Sequence, residues 1–555
     1  MSQSASRPAN RPLPLPSFFL LLIGLLGAWR CWTAAMQGDD LWTAGLIACL
    51  VFALYHGVRW LNALDECSDR AEAKHRLAGY SNQQGCAKLG ELADAKQAGL
   101  TTTRGLHLGS LKGQRVSYAG SNHVWITGPP GSGKGTGPFG VTGLTARVGD
   151  DPQGNPYSMF WNDPALESFC LLNKRQRELG RRVVVVCGEP DRLKRELGIE
   201  FDAVRVNPAT IMDPASDTVV DDARMLAMLI FPGQPPEKRS GNTGHFEDTA
   251  RIVIKTHSLD ELDTEGVVTL PALQRRLAGD QTAAIAAMLK NDAYEGAIAE
   301  GAAKLESILV DSPEEWSGVM STVARALELY DGFSSYGKSV SDANWDWAMM
   351  KQEPTAVFLC NSADRALTHA GHKNLMLGSA IESLARVRTQ RRITFYLDEC
   401  AGLRYLPTLP HAMAEYRKFG QQYVLGWQQF SQAQRIYGRE LAREMLGMCE
   451  AVLAMNTREP SDCKMLSEMV GSTTRATASQ SVRFADSGGP ANVSYNGSYQ
   501  TQPLLRPEDI RTLGKHKTLL VCGDEPAFVL DKLNYLADRR LKRLAGVNPY
   551  FRKES

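Results

Sequence analysis

The sequence has no CxxC pair and no Cys/His cluster at zinc-ligand spacing, although it holds eleven cysteines in 555 residues. A zinc ribbon or disulfide framework is therefore not what orders it. Cys187, Cys360, Cys400 and Cys522 lie in or just after strand-like apolar runs. They read as buried free thiols, which suits a reducing cytosol. Net charge is also lacking: 62 Lys and Arg against 61 Asp and Glu leave +1. Any polyanion site must rest on local clusters. There is no dominant repeat, and 43% apolar with 22% charged residues is the balance of a folded protein. This length excludes one ordinary core and favours about two to four domains.

The first sixty residues differ. Ser17–Met36 and Leu41–Leu61 are apolar, each close to the ~20 residues a helix needs to cross a bilayer. Trp29, Trp32, Trp42 and Trp60 lie toward their ends, where indoles favour the interface, and Arg30 is near enough to an end to snorkel. Only QGDD separates the two runs. Arg7 and Arg11 precede the first and Arg59 ends the second, so both termini are expected in the cytoplasm. The competing reading is a cleaved signal peptide; no small-residue cleavage site precedes QGDD, and a second run follows at once. Residues 1–62 are thus expected to be a two-span membrane anchor, and 63–120 a cytoplasmic linker leading into a nucleotide domain.

That domain announces itself at NHVWIT, a short apolar strand running into GPPGSGKGT: Gly128, Pro129, Pro130, Gly131, Ser132, Gly133, Lys134, Gly135 and Thr136. The pattern G-x-x-x-x-G-K is a phosphate loop. Its glycines turn backbone N–H groups toward phosphate oxygens, and Lys134 would reach the β- and γ-phosphates of ATP. The next residue is usually Ser or Thr, whose hydroxyl binds Mg²⁺. Here it is Gly135. Either Thr136 or a water takes that place, or metal binding is weak.

A hydrolase also needs carboxylates. The strand ITFYL ends in Asp398 and Glu399. Asp398 would hold Mg²⁺ and Glu399 would orient or deprotonate the attacking water. QYVLGW ends at Gln428, an amide placed to sense the γ-phosphate. YSMFWND, VVVVC, TAVFLC, AVLAM and TLLVC extend an α/β fold with a buried, mostly parallel sheet. Ligands sit at the carboxyl ends of such strands, where Asp163, Asp398 and Gln428 fall. Arg417, in AEYRKFG, is either a solvated charge or a finger for a neighbouring subunit's nucleotide.

The chain between Lys134 and Asp398 is largely helical. TLPALQRRLAG and DSPEEWSGVM carry Pro at a helix start, and Ser312 with Glu315 predicts a capping box. Residues 237–336 are expected to form an all-helical domain inserted between nucleotide-domain parts 121–236 and 337–555. Leu259–Trp316 holds twelve Asp or Glu against four Lys or Arg, which repels DNA backbone and is either a plain solvated surface or an attraction for basic protein cargo. Basic clusters lie elsewhere, in NKRQRELGRR, RVRTQRR and DRRLKR. The Gly/Ser-rich stretch from Gly471 predicts a mobile excursion.

The combination resembles the type IV coupling proteins of conjugation and secretion, the TraG family, over most of the chain after about Tyr80. LHLGSLKGQRVSYAGSNHVWITGPPGSGKG, LDECAGLRYLPTLPHAMAEYRKFGQQYVLGWQQFSQAQRIYG and QPLLRPEDIRTLGKHKTLLVCGDEPAFVLDKLNYL carry the likeness. It implies a RecA-like fold, ring hexamers, an inner-membrane anchor, and ATP-driven delivery of relaxase–DNA complexes or effector proteins to a secretion channel, with DNA in the central pore. Lys134 would then bind phosphate, Asp398 and Glu399 serve metal and water, Arg417 act in trans and Gln428 sense. The GKG form also occurs in that family. One departure is NDPALES, where Ala165 and Leu166 replace the Lys-Gly of the family's Asp-Pro-Lys-Gly-Glu run. Three alternatives stand beside it: an FtsK-like DNA translocase, a small-molecule kinase of adenylate-kinase type, and a cargo receptor that does not hydrolyse its nucleotide. Against the first stand only two spans and no winged helix; against the second, the spans and the remote Asp-Glu pair.

Overall fold

The computed structural model describes residues 15–36, 45–61, 64, 86–147, 157–239, 241–365, 368–389, 391–483 and 492–548. They belong to two units, Met1–Lys88 with Gly471–Leu504, and Leu89–Val470 with Leu505–Ser555. Arg7, Arg11 and the QGDD turn of the expected anchor lie outside the described residues.

The larger unit is built on one sheet. In chain order the strands are β1 (Leu106–Leu111), β2 (Gln114–Tyr118), β3 (His123–Thr127), β4 (Ser158–Asn162), β5 (Arg182–Cys187), β6 (Ala203–Val204), β7 (Thr355–Cys360), β8 (Ile393–Leu397), β9 (Gln421–Trp427) and β10 (Cys449–Met455). The smaller unit then contributes a separate pair, β11 (Ser472–Arg483) and β12 (Asn492–Pro503), before β13 (Lys517–Cys522) and β14 (Phe528–Asp531) close the main sheet. The order is β2-β1-β14-β13-β10-β3-β9-β8-β4-β7-β5-β6. Every pairing from β10 to β6 is parallel, and every pairing from β10 through β13 to β2 is antiparallel.

All residues of β3, β4, β7, β8 and β9 are buried, as expected for parallel strands covered on both faces. Aromatic pairs fix their register. Trp125 stacks on Trp427 across β3 and β9 at 5.4 Å between ring centres, and Trp161 on Tyr396 across β4 and β8 at 4.1 Å. Such a pair adds about 0.5–1.5 kcal/mol beyond the area it buries. A one-residue slip would turn these rings to the wrong face and displace the residue following each strand.

Between β6 and β7 the chain is helical: Gly241–Glu265, Leu270–Leu277, Gln281–Met288, Ala297–Asp311 and Pro313–Leu327. Thr269 and Asp280 cap two of these helices, accepting the N–H groups of Ala272 at 3.3 Å and Ala283 at 3.2 Å. The capping box expected at Ser312 is not formed. Only Ser312 separates two helices, ending one and starting the next, and its φ of −140° and ψ of 64° serve that corner without a side-chain cap. Glu315 is paired instead with His245 at 2.6 Å.

In the smaller unit a helix covers Leu15–Ala35 and another covers 45–61. They approach through small residues: a Cβ on Gly24 would stand 3.0 Å from Ala53, and one on Gly27 3.0 Å from the Cys49 sulfur. Phe19, Ile23, Leu26, Trp29, Ile47 and Leu54 stay exposed. Among the described residues no helix is long and apolar enough to cross a membrane. The stretch read as a mobile excursion is instead paired from Ser472↔Pro503 to Arg483↔Asn492. Thr, Val and Tyr recur along it, and these residues favour strands; composition had hidden that pattern behind its Gly and Ser.

Candidate functional site

β3, β9, β8 and β4 are neighbours, and each is followed by a residue singled out from the sequence. Gly128 follows β3, Gln428 follows β9, Asp398 and Glu399 follow β8, and Asp163 follows β4. Parallel pairing brings these carboxyl ends to one edge.

The loop after β3 is short of side chains where backbone must be reached. Gly131 and Gly133 have φ of +72° and +96°, a region open to glycine. A Cβ on Gly131 would meet nothing within 4 Å, so that side of the loop is open. Pro130, Gly131 and Gly135 are exposed, whereas Ser132 and Lys134 are buried. The Lys134 ammonium donates to the Gly128 carbonyl at 2.6 Å, and the Ser132 hydroxyl is buried without a partner. A buried cation whose bond is to a neutral carbonyl, beside an unpartnered hydroxyl and an open Gly-rich turn, fits a polyphosphate. The loop leads into a π-turn, Gly135–Phe139, and then the helix Gly140–Thr145.

Asp398 faces this loop. A Cβ on Gly135 would lie 4.0 Å from its Oδ2, so a hydroxyl side chain at 135 would have pointed at the carboxylate. The Thr136 Oγ1 lies 3.5 Å from the Cβ position of Gly133. Burial raises the Asp398 pKa to about 6, opposed by Lys134 and reinforced by Glu399. Among the described residues no group of three metal-ligating side chains exists. A lone carboxylate beside a phosphate cradle fits Mg²⁺, which is commonly held by one or two carboxylates plus substrate phosphates.

Glu399 sits in the left-handed region at φ 62°, ψ 60°. Such strain in a non-glycine residue costs on the order of 1–3 kcal/mol and gathers at functional sites. Gln428 Nε2 donates to both Glu399 carboxylate oxygens at 3.0 Å. Asp163 is buried and holds the start of the helix Glu167–Glu178, accepting the N–H groups of Ser168 at 3.0 Å and Phe169 at 2.7 Å. Leu166, where the resemblance leads one to expect Gly, has φ 56°, the conformation that favours glycine.

Arg417 stands apart. It precedes β9, whereas Gln428 follows it, and its guanidinium donates to Asn122 ahead of β3. The length of β9 separates it from its own loop by roughly 20 Å.

Several residues here were missed from the sequence. Gly426, inside β9, leaves room for Asp398; a Cβ there would lie 3.0 Å from Oδ1. A Gly inside an apolar strand was the available signal. Asn162 donates to the Asp398 carbonyl at 2.9 Å. Lys373 is fully buried, its ammonium has no hydrogen-bond partner, and burial lowers its pKa while Glu399 and Cys360 oppose that shift.

The sequence profile described as type IV secretory system conjugative DNA transfer matches residues 86–554. The coupling protein TraD of Escherichia coli (strain K12) is 24% identical over 201 residues, 35% of this chain and 28% of TraD. The conjugal transfer protein TraG of Rhizobium radiobacter is 22% identical over 407 residues, 71% of this chain and 60% of TraG. The matches thus span 28–60% of the length of these two relatives. The plasmid coupling protein TrwB, solved with the non-hydrolysable ATP analogue ADPNP, shares the fold at a TM-score of 0.57 and 16% identity, over 81% of this chain and 94% of that one. TrwB with ADP and Mg²⁺ gives 0.56 at 14% identity over the same shares. With one profile accounting for residues 86–554, the chain belongs to the conjugative DNA transfer family of type IV secretory systems.

Proposed function

We propose that this chain is a coupling-protein motor that binds and hydrolyses ATP to drive substrate into a type IV secretion channel. The observation that carries the proposal is the placing of Lys134, Asp398, Glu399 and Gln428 around the ends of three adjacent strands, β3, β9 and β8. The loop from Gly128 to Thr136 binds the triphosphate through its N–H groups and Lys134. Mg²⁺ would supply charge neutralisation at the terminal phosphates when bound. Asp398 holds it, with Thr136 or a water in the place a hydroxyl at 135 would take. Glu399 orients and deprotonates the attacking water. Gln428, bonded to Glu399, senses whether the γ-phosphate is present. TrwB bound to ADPNP and to ADP with Mg²⁺ supports both ligands.

Arg417 serves a neighbouring subunit's site, which requires a ring, on this reading a hexamer. The two N-terminal helices anchor that ring in the inner membrane, with both termini cytoplasmic; their exposed apolar side chains favour this. Relaxase–DNA complexes, effector proteins or both are the cargo, with DNA in the central pore. The acidic insert favours a second reading, a receptor for basic protein cargo that does not hydrolyse.

Lys134→Ala and Glu399→Gln separate the two. For a motor, Lys134→Ala abolishes nucleotide binding, Glu399→Gln binds without turnover, and both stop transfer in cells. Full transfer by both variants would discard the motor. Crosslinking in transferring cells then identifies the cargo, and recovery of effector proteins without DNA or relaxase would discard the conjugative version.

A further inference from the structure

The chain's last described segment returns to the phosphate loop. β14 ends at Asp531, and the residues after it lie along the carbonyl side of the loop. Lys532 Nζ donates to the Ser132 carbonyl at 2.9 Å. The Tyr535 N–H donates to the Thr136 carbonyl at 3.0 Å. The Leu533 carbonyl lies so near Gly137 that a Cβ there would stand 2.9 Å from its oxygen. The Tyr535 ring is buried and would touch a Cβ on Gly140 at 3.1 Å. Farther on, the Gly546 N–H reaches the Leu171 carbonyl at 2.9 Å and Asn548 reaches Glu167 at 2.6 Å. Residues 532–548 thus form a strap fastened at both ends.

The loop needs such a fastening. Gly131, Gly133, Gly135 and Gly137 leave its backbone with more freedom than any other residue type would. Its own closing bonds are few, among them Ser132 N to Pro129 O at 3.0 Å and Gly137 N to Gly133 O at 2.8 Å. The strap takes the carbonyls of Ser132 and Thr136 and leaves N–H groups for phosphate. No carboxylate forms an ion pair with Lys532 among the described residues, so its ammonium is committed to the loop's backbone.

We propose that Lys532–Tyr535 is a clasp that sets the shape of the phosphate loop, with Lys532 a positioning residue acting through the Ser132 carbonyl. This rests on the nucleotide-binding reading of that loop. The clasp follows the β13–β14 hairpin directly, whereas Asp398, Glu399 and Gln428 are carried by the parallel strands. The loop is therefore tied to both halves of the sheet, and movement of the antiparallel half changes its grip on nucleotide.

The test uses the full chain in its assembled state, with Lys532→Met, Lys532→Arg and Gly137→Ala. Hydrogen exchange of loop amides 131–137 is read without nucleotide, and mant-ADP and mant-ATP dissociation by stopped flow. Lys532→Met removes a charged-donor bond and is expected to speed loop exchange and mant-ADP release by about tenfold or more. Lys532→Arg retains most of both, and Gly137→Ala, which pushes on Leu533, moves both in the direction of Lys532→Met. Unchanged loop exchange in Lys532→Met and Gly137→Ala overturns the clasp. Weakened binding with unchanged exchange also overturns it, since Lys532 would then be a phosphate ligand. Should Lys532→Met unfold, seen as fast exchange at all amides, Gly137→Ala carries the decision. Absence of mant-nucleotide binding by the wild-type chain counts against the nucleotide reading alone, because the exchange arm still judges the clasp.

Discussion

Gly135 is the residue at which this site departs from the usual phosphate loop, and the departure is reversible. Its Cβ position has no neighbour closer than Asp398 Oδ2 at 4.0 Å, and its φ is not positive. A side chain there meets neither a clash nor backbone strain. Gly135→Ser is therefore expected to fold normally and to place a hydroxyl beside Asp398. Mg²⁺-dependent mant-ATP binding should tighten several-fold while metal-free binding stays unchanged. Equal binding in both conditions would show that Asp398 does not hold the metal. At this scale the sequence displayed the loop, the Asp-Glu pair and Gln428, because phosphate chemistry demands fixed residue types at fixed spacing after a strand. It did not display Asn162, Gly426 or Lys532. Their contacts cross 236, 28 and 400 positions of chain, and only the sheet order brings them together.

β9 is the element that decides whether one chain makes a whole site. Gln428 leaves its carboxyl end, bonded to Glu399, while Arg417 precedes its amino end, bonded to Asn122. A strand is stiff, so both cannot serve one loop. If Arg417 completes a neighbour's site, Lys134→Ala and Arg417→Ala rings are each inactive alone. Mixing the two variants before assembly restores activity at interfaces that pair an intact loop with an intact Arg417, about a quarter of them at equal random mixing. ATPase activity across mixing ratios reads this, and a flat zero would show that Arg417 does not act on a neighbour's site, while activity of Arg417→Ala alone would place it outside the reaction. Elements of this kind were legible where their burial is complete: the runs HVWIT, ITFYL and QYVLGW are mostly apolar and wholly buried because both faces are covered. Elements whose order depends on pairing were not. β11 and β12 look like a polar linker until set side by side, and Ser312 looks like a cap until the helices on both sides are known.

For the whole molecule, the formal charge of +1 conceals buried groups that titrate in opposite senses. The long insert helix Gly241–Glu265 holds one of each. His257 is buried with both ring nitrogens unpartnered, and burial, with Arg276 nearby, lowers its pKa to about 3. Glu261, one turn on, is pushed up to about 7 by burial, with the nearby Thr269 backbone opposing. The signs differ. For His257 the unfolded chain binds the proton first, so its contribution is intact above its ordinary pKa of 6.5 and is lost as pH falls toward 3. For Glu261 the folded chain binds the proton first, so its contribution is intact below 4.5 and is lost as pH rises through 7. Urea midpoints of the wild type therefore change less with pH than either group alone would dictate. His257→Leu, relative to wild type, gains about 2 kcal/mol between pH 7 and pH 5. Glu261→Gln gains in the opposite direction, by a similar order, between pH 5 and pH 8. Parallel pH profiles for both variants and the wild type would mean that neither group stays buried in the folded chain, and the insert would then be looser in solution than its packing implies.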